Sequence, residues 1–222
     1  MSGTPDAILD TGGPLDETRL RAALAALAAI DADIAEALDR YGYPAPRCRD
    51  PGFATLIHIV AAQQVSTASA AAISRKLAVT LDGAFTPEGL LGLDDVAMRA
   101  AGFSGPKITY ARGLAEALLN GDLDLAVLPH LEEEAAVASL TRLKGFGRWS
   151  AEIYLLFAHG RADVFPADDL AVQIAYQRLK RLDARPTARA LRLLVEPWRP
   201  YRGAAAAFLW HLYGSATLDG QR

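Results

Sequence analysis

The chain has 222 residues, 51% of them hydrophobic and 22% charged, which is the balance of a globular protein with enough apolar material for a core. That composition excludes disordered, collagen-like and coiled-coil classes, and no apolar run approaches the ~20 residues of a spanning helix, so no membrane partner is expected. A single cysteine, Cys48, excludes an internal disulfide framework, a cysteine-rich zinc site and an iron–sulfur cluster held by four cysteines, while the net charge of −3 argues mildly against a nucleic-acid partner.

In chain order, the opening segment lacks the basic start and apolar stretch of a secretory signal, so a cytoplasmic location is expected, nucleoid-associated if the source is bacterial. No role is assigned to the first fifteen residues. Leu20, Leu24, Leu27, Ile30, Ile34 and Leu38 then keep helical spacing behind Asp16, a candidate N-cap. The stretch Tyr43-Pro44-Ala45-Pro46 breaks the pattern and reads as a linker. Helical patterns follow at about 52–63, 67–80, 94–101, 105–119, 131–140, 149–159, 169–182, 187–195 and 201–213. Glycines and prolines such as Gly83, Pro87, Gly102, Gly121, Pro129, Gly160 and Pro186 fall in most of the gaps. Alternating patterns of strand length are essentially absent. The predicted fold class is all-α.

The charge is unevenly spread. Residues 1–50 hold nine acids against five Lys and Arg, and 120–134 hold five acids and no base. From Arg178 to Arg202 there are eight basic residues against only Asp183 and Glu196. An acidic chain can still present a basic face to an anionic polymer, although a set of solvated helix faces accounts for the same run.

Four stretches carry chemistry. In the first, a helix ends near Leu140, the turn Gly145-Phe146-Gly147 follows, and another helix starts about Arg148. Glycines there let backbone N–H groups come close to another molecule, at a helix start where orphan donors favour phosphate. With Lys144 and Arg148 alongside, this reads as a helix-hairpin-helix clamp on a DNA backbone. In the second stretch, Phe165-Pro166-Ala167-Asp168-Asp169, two aspartates open a helix and only one of them can cap it. The other suits stabilising a positive charge, since the helix dipole favours its anion. The third holds Trp198 and Trp210, either of which is readable as core, and the fourth is Gln63-Gln64-Val65-Ser66 at a helix end. His58, His130, His159 and His211 lie outside these stretches and read as packed or solvated.

In this order and spacing, from about Phe53 to Trp210, the four stretches resemble the helix-hairpin-helix DNA glycosylase superfamily, and within it the 3-methyladenine DNA glycosylase II (AlkA) type. The resemblance implies two helical lobes with a cleft between them. One is a central domain of residues 52–161, with the helix-hairpin-helix at about 131–159. The other joins 1–51 to 162–222 and carries the catalytic aspartate. Asp169 falls on the family's catalytic carboxylate, with Asp168 as its cap or neighbour. Trp149, Trp210, Ile153 and Leu170 fall on the base pocket, less aromatic here because Ile153 and Leu170 replace aromatics. Gln64 falls on the residue that wedges into the duplex, with Gln63 beside it. Gly145, Gly147, Lys144 and Arg148 would hold the DNA backbone.

No cofactor is implied as required. The family hairpin often holds a structural sodium or potassium ion on main-chain carbonyls, here those of Leu143, Phe146 and Thr141. Trp149 occupies the place of the catalytic lysine in bifunctional relatives, so no lyase step is implied. The implied activity is excision of alkylated bases such as 3-methyladenine, 7-methylpurines and etheno adducts from double-stranded DNA in base excision repair, by a monomer. An N3- or N7-alkylated purine leaves as a neutral molecule, which puts the burden on the sugar's oxocarbenium character. Two alternatives stand beside this reading: a non-enzymatic helix-hairpin-helix DNA-binding protein, and a mismatch or oxidised-base glycosylase on the same fold. A helical protein–protein module, with no DNA affinity, is a third.

Overall fold

The computed structural model describes residues 13–219, with side chains described as far as Ser215, so most of the N-terminal segment lies outside the described residues. Those residues form α-helices and two short 3-10 turns, with no strand among them. They divide into one unit of Asp50–Tyr154 and another made of the described parts of 1–49 and 155–222. The predicted second boundary, at residue 161, lies beyond the observed one because an unbroken helix runs through Tyr154 and conceals it.

The unit built from the two ends of the chain begins with α1 (Glu17–Ile30), whose N-cap Asp16 accepts the Arg19 N–H at 2.9 Å. Leu20, Leu24 and Leu27 are buried on one side of it. The helical spacing does not continue as one helix. At Asp31 the backbone is extended, and α2 (Ala32–Tyr41) starts afresh with the Asp31 carboxylate accepting the Asp33 and Ile34 N–H groups. Ile30, which fits the spacing, is 60% exposed. What holds Asp31 out of the helix is distant in sequence. Lys180 Nζ lies 2.6 and 2.7 Å from its two oxygens, and the buried Trp198 donates its indole N–H at 2.8 Å.

The rest of this unit is α10 (Leu170–Leu179), α11 (Ala188–Leu194) and α12 (Arg202–Asp219), together with the end of α9 (Arg148–Ala158). Gly203 and Ala204–Ala207 give α12 a small-residue start, which lets α10 and α1 pack closely on it while Phe208 and Leu209 fill the core. The predicted helix 169–182 stops at Leu179, and Arg181 has turned to φ +52.

The basic run from Arg178 to Arg202 is largely neutralised within the unit. Lys180 pairs with Asp31 and Asp33, Arg181 with Asp33 and Glu36, Arg192 with Asp168, and Arg199 and Arg202 with Asp163 and Glu196. A continuous basic face does not follow from the count of bases, because acids from far along the chain come to meet them.

In the other unit, α3 (Phe53–Ala62) carries no Asp, Glu, Lys or Arg and buries Phe53, Leu56, Ile57, Ile59 and Val60. A helix apolar on nearly every side has to sit inside a bundle, and α4 (Thr67–Thr80) and α7 (Gly105–Leu119) cover it. Between them lie α6 (Asp95–Ala101) and α5 (Pro87–Leu91), a helix absent from the sequence reading. Its five residues are too few for a periodic signal, and Pro87 serves as a helix start behind the Thr86 cap rather than as a break. The helix α8 (Glu133–Thr141) buries Ala136, Val137 and Leu140 and leads through a turn into α9. Among the described residues, no helix is long and apolar enough to cross a membrane.

Candidate functional site

In the unit 50–154 the turn between α8 and α9 is anchored from below. Gly145 has φ +87, a conformation that L side chains rarely adopt, and a Cβ placed there would come within 2.2 Å of the Tyr110 ring. Its glycine is therefore required first by packing and backbone conformation. Gly147 differs: it is exposed, has no such φ, and a Cβ would meet nothing within 4 Å. Phe146 between them is buried and donates its N–H to the Leu143 carbonyl at 3.0 Å. Lys144 is exposed at the turn.

Two sequence assignments change here. Arg148, placed on the DNA backbone by the resemblance, grips Glu134 with both guanidinium nitrogens and donates Nε to the buried Glu152 at 2.8 Å. Glu134 raises its pKa well above the ordinary arginine value, against the cost of burial and with further help from Glu152. The charge is spent inside the unit. Gln63, grouped with the wedge, instead donates its side-chain amide to the Gly145 carbonyl at 2.8 Å and to Ser150 Oγ at 3.2 Å. It ties the end of α3 to the hairpin. The residue at the tip is Gln64, exposed and at φ +55, followed by Val65, 41% exposed, which the sequence reading did not single out.

The end of α3 has a second anchor in Lys107, a buried residue of α7 whose Nζ donates to the Ala61 carbonyl at 2.8 Å. Burial lowers its pKa. Trp149 and Ile153 stand one turn apart on α9, and both are half-buried.

In the other unit the two aspartates separate in role, and of the two readings of Asp168, cap or neighbour, only neighbour holds. Asp169 is itself the N-cap of α10: Oδ1 accepts the Val172 N–H at 3.1 Å. The same oxygen accepts the Trp210 indole N–H at 3.1 Å. Asp168 does not cap. It is exposed and pairs with Arg192 of α11. Asp169 is thus fixed in place by its own capping bond and by the Trp210 indole, while Asp168 takes no part in the cap. Leu170 next to it is 54% exposed.

Trp210 is half-buried and is set from two further directions. The Phe157 ring lies 5.4 Å away, tilted by 39°, and the Arg47 guanidinium lies over the indole at 5.6 Å from its centroid. The linker that carries Arg47 is fixed by the Arg49 N–H, which donates to the Phe157 carbonyl at 2.9 Å. Neither residue was named from sequence. Phe157 follows Trp149 and Ile153 at i, i+4 and i+8, a signal that was there to read, whereas Arg47 lies just beyond the stretch 43–46 that breaks the helical pattern and before the next pattern begins. Desolvation of the guanidinium lowers the Arg47 pKa, the Asp169 carboxylate opposes that, and Arg49 adds to it. Trp198 is core, its ring 5.4 Å from Tyr176. His58 bonds Ser74 at 2.8 Å and His211 bonds the Tyr41 carbonyl at 2.9 Å, which fits packing roles.

Residues 57–200 match the family model described as HhH-GPD superfamily base excision DNA repair protein. The chain is 39% identical over 163 residues to DNA-3-methyladenine glycosylase 1 of Schizosaccharomyces pombe, covering 70% of this chain and 69% of that protein. A solved structure of an S. pombe 3-methyladenine DNA glycosylase in complex with abasic DNA superposes with a TM-score of 0.79 at 33% identity, over 88% of this chain and 96% of that one. A DNA-3-methyladenine glycosidase from Bacillus halodurans gives a TM-score of 0.74 at 27% identity, over 94% of each chain.

Proposed function

The chain belongs to the HhH-GPD superfamily of base excision DNA repair proteins, and from that premise we propose that it is a monofunctional DNA glycosylase that removes alkylated bases from duplex DNA. The observation that carries the reading is Asp169, a carboxylate fixed at the start of α10 by the Val172 N–H and the Trp210 indole N–H. An alkylated purine cation departs as a neutral base and asks for little protonation. The deoxyribose it leaves behind gains oxocarbenium character. A preorganised anion beside that sugar lowers the barrier by stabilising developing charge and orients the attacking water, and terms of this kind are usually the largest in catalysis.

The other roles follow from the resemblance together with the local geometry. Trp210 offers a ring whose orientation is set by its bond to Asp169, and base stacking on such a ring contributes ~0.5–2 kcal/mol when the base is a cation. Trp149, Ile153 and Leu170 belong to the base pocket on the resemblance of the surrounding motifs. Gln64, at the exposed tip beyond α3, fills the gap left when a nucleotide is extruded, a step that costs least at damaged or mispaired bases. Gly147 offers its backbone to phosphate, and Lys144 adds charge. Thr141, Leu143 and Phe146 would hold a monovalent cation through main-chain carbonyls, which suit a hard ion, and one of these carbonyls already accepts an N–H. That ion would supply charge at the phosphate contact. Trp149 has no amine to form a Schiff base, so the chain supplies a hydrolytic step only.

The test is incubation of the protein with methylated duplex DNA. Free methylated purine should appear in the supernatant, and strands should break only after alkali cuts the abasic sites. Strand breakage at neutral pH without alkali would contradict the monofunctional reading. Duplex binding with no base release would favour a non-catalytic clamp.

A further inference from the structure

Arg47 has no place in the reading given so far. It sits on the 42–52 segment between α2 and α3, outside any helix, yet its position is determined: Arg49, two residues on, is bonded to the Phe157 carbonyl, and Phe157 packs on Trp210. The guanidinium is thereby carried over the same indole that donates to Asp169. A permanent cation rests on the ring assigned to stack with the base, beside the carboxylate assigned to stabilise the sugar.

We propose that Arg47 sets the charge preference of this site, tilting it toward neutral damaged bases and away from cationic ones. The inference rests on the glycosylase reading and adds a substrate class to it. A cationic alkylpurine that stacks on Trp210 meets a like charge on the same ring, in partly desolvated surroundings where repulsion is weakly screened. A neutral adduct meets no such repulsion. Its heterocycle can lie against the planar guanidinium, and its ring nitrogens and carbonyls can accept the N–H donors of that group. Arg47 is a specificity-determining residue in this account, while the charge on the sugar is left to Asp169.

The experiment compares single-turnover base release by the unchanged protein, Arg47→Met and Arg47→Lys. One duplex carries a single 7-methylguanine, which is cationic, and another a single 1,N6-ethenoadenine, which is neutral. Met keeps an unbranched apolar stem, shorter than that of Arg, and removes the charge. Arg47→Met should raise the ratio of cationic to neutral release about ten-fold, the factor that follows from removing about 1.4 kcal/mol of repulsion. Arg47→Lys keeps the charge but not the planar face, so its ratio should lie between those of the unchanged protein and Arg47→Met. A ratio that does not move in Arg47→Met, or that falls, overturns the proposal. So does an equal loss on both duplexes with a shallower salt dependence of binding, which would make Arg47 a phosphate contact. Failure of the unchanged protein to release either base would remove the glycosylase reading itself, whereas normal release with an unmoved ratio removes only the role of Arg47.

Discussion

Replacing Gly145 or Gly147 by alanine separates two reasons for a glycine in the same turn. At Gly145 an alanine must adopt φ +87 and place its Cβ 2.2, 2.3 and 2.5 Å from three carbons of the Tyr110 ring. The backbone conformation costs about 1–2 kcal/mol for an L residue, and moving a packed ring costs about 1–3 kcal/mol more. The sum is about 2–5 kcal/mol, which lowers the melting temperature of a chain of this size by roughly 5–20 °C. At Gly147 the space is open and the backbone needs no left-handed conformation. Alanine is a poorer residue than glycine at the start of a helix, and the exchange costs about 1 kcal/mol or less. The assay is a thermal melt of both variants beside a duplex-binding titration at two salt concentrations. Gly145→Ala should melt early. Gly147→Ala should melt within about 4 °C of the unchanged protein yet bind undamaged and damaged duplex less tightly, because its Cβ lies where phosphate approaches. The double variant Tyr110→Ala with Gly145→Ala should recover the steric part of the loss. Equal melting of the two single variants would refute the packing argument, and undiminished duplex binding by Gly147→Ala would refute its backbone contact.

Three further outcomes follow. Asp31→Asn should lower the melting temperature at neutral pH by roughly 3–12 °C, since it removes one of the two charge partners of Lys180, at a side chain only 10% exposed, and leaves Asp33 as the other, for about 1–3 kcal/mol. Burial alone would raise the Asp31 carboxyl, but the bonds from Lys180 and Trp198 more than offset it and hold its pKa below 3.8. Its contribution is therefore present above that pH and is lost as pH falls through the lowered pKa, so the melts of variant and unchanged protein should converge in acid. Gln63→Ala should cost about 1–2 kcal/mol by leaving the Gly145 carbonyl without its donor, whereas Gln64→Ala should leave the melt unchanged and slow base release; the reverse pattern would restore Gln63 to the wedge. Asp168→Asn breaks a partly exposed pair with Arg192 and should cost less than about 1 kcal/mol, with base release largely kept.

Much of the helical frame could be read from local chemistry. Helices 67–80 and 105–119 have the expected bounds, because Ser66 and Ser104 precede them and a glycine or proline lies close to each. The hairpin was legible for the same reason: a positive φ at Gly145 leaves a mark on composition. What could not be read was set by partners far along the chain. Ile30 and Ile34 obey helical spacing across Asp31, and only Lys180 and Trp198, 149 and 167 residues away, pull that aspartate out of line. The same distance concealed the neutralisation of much of the basic run by Asp31, Asp33, Glu36, Asp163 and Asp168. The partners of Arg148 lie nearer, Glu152 one turn on and Glu134 at the start of the preceding helix, and only the first of them is a spacing that sequence displays. At the candidate site the residue types were legible, but the division of labour between Asp168 and Asp169 was not. Two adjacent aspartates at a helix start look alike in sequence, and only the fold shows that Asp169 caps while Asp168 pairs with Arg192.

The most direct measurement is free-base release from methylated duplex DNA by Asp169→Asn beside the unchanged protein, with products resolved by chromatography and duplex binding measured in parallel. Asparagine caps a helix as well as aspartate does and can still accept the Trp210 and Val172 N–H groups, so this substitution removes charge while leaving the local structure in place. Release should fall by at least about 10²–10³-fold while binding and the melting temperature hold. Release by Asp169→Asn within a few-fold of the unchanged protein would contradict the catalytic role of Asp169.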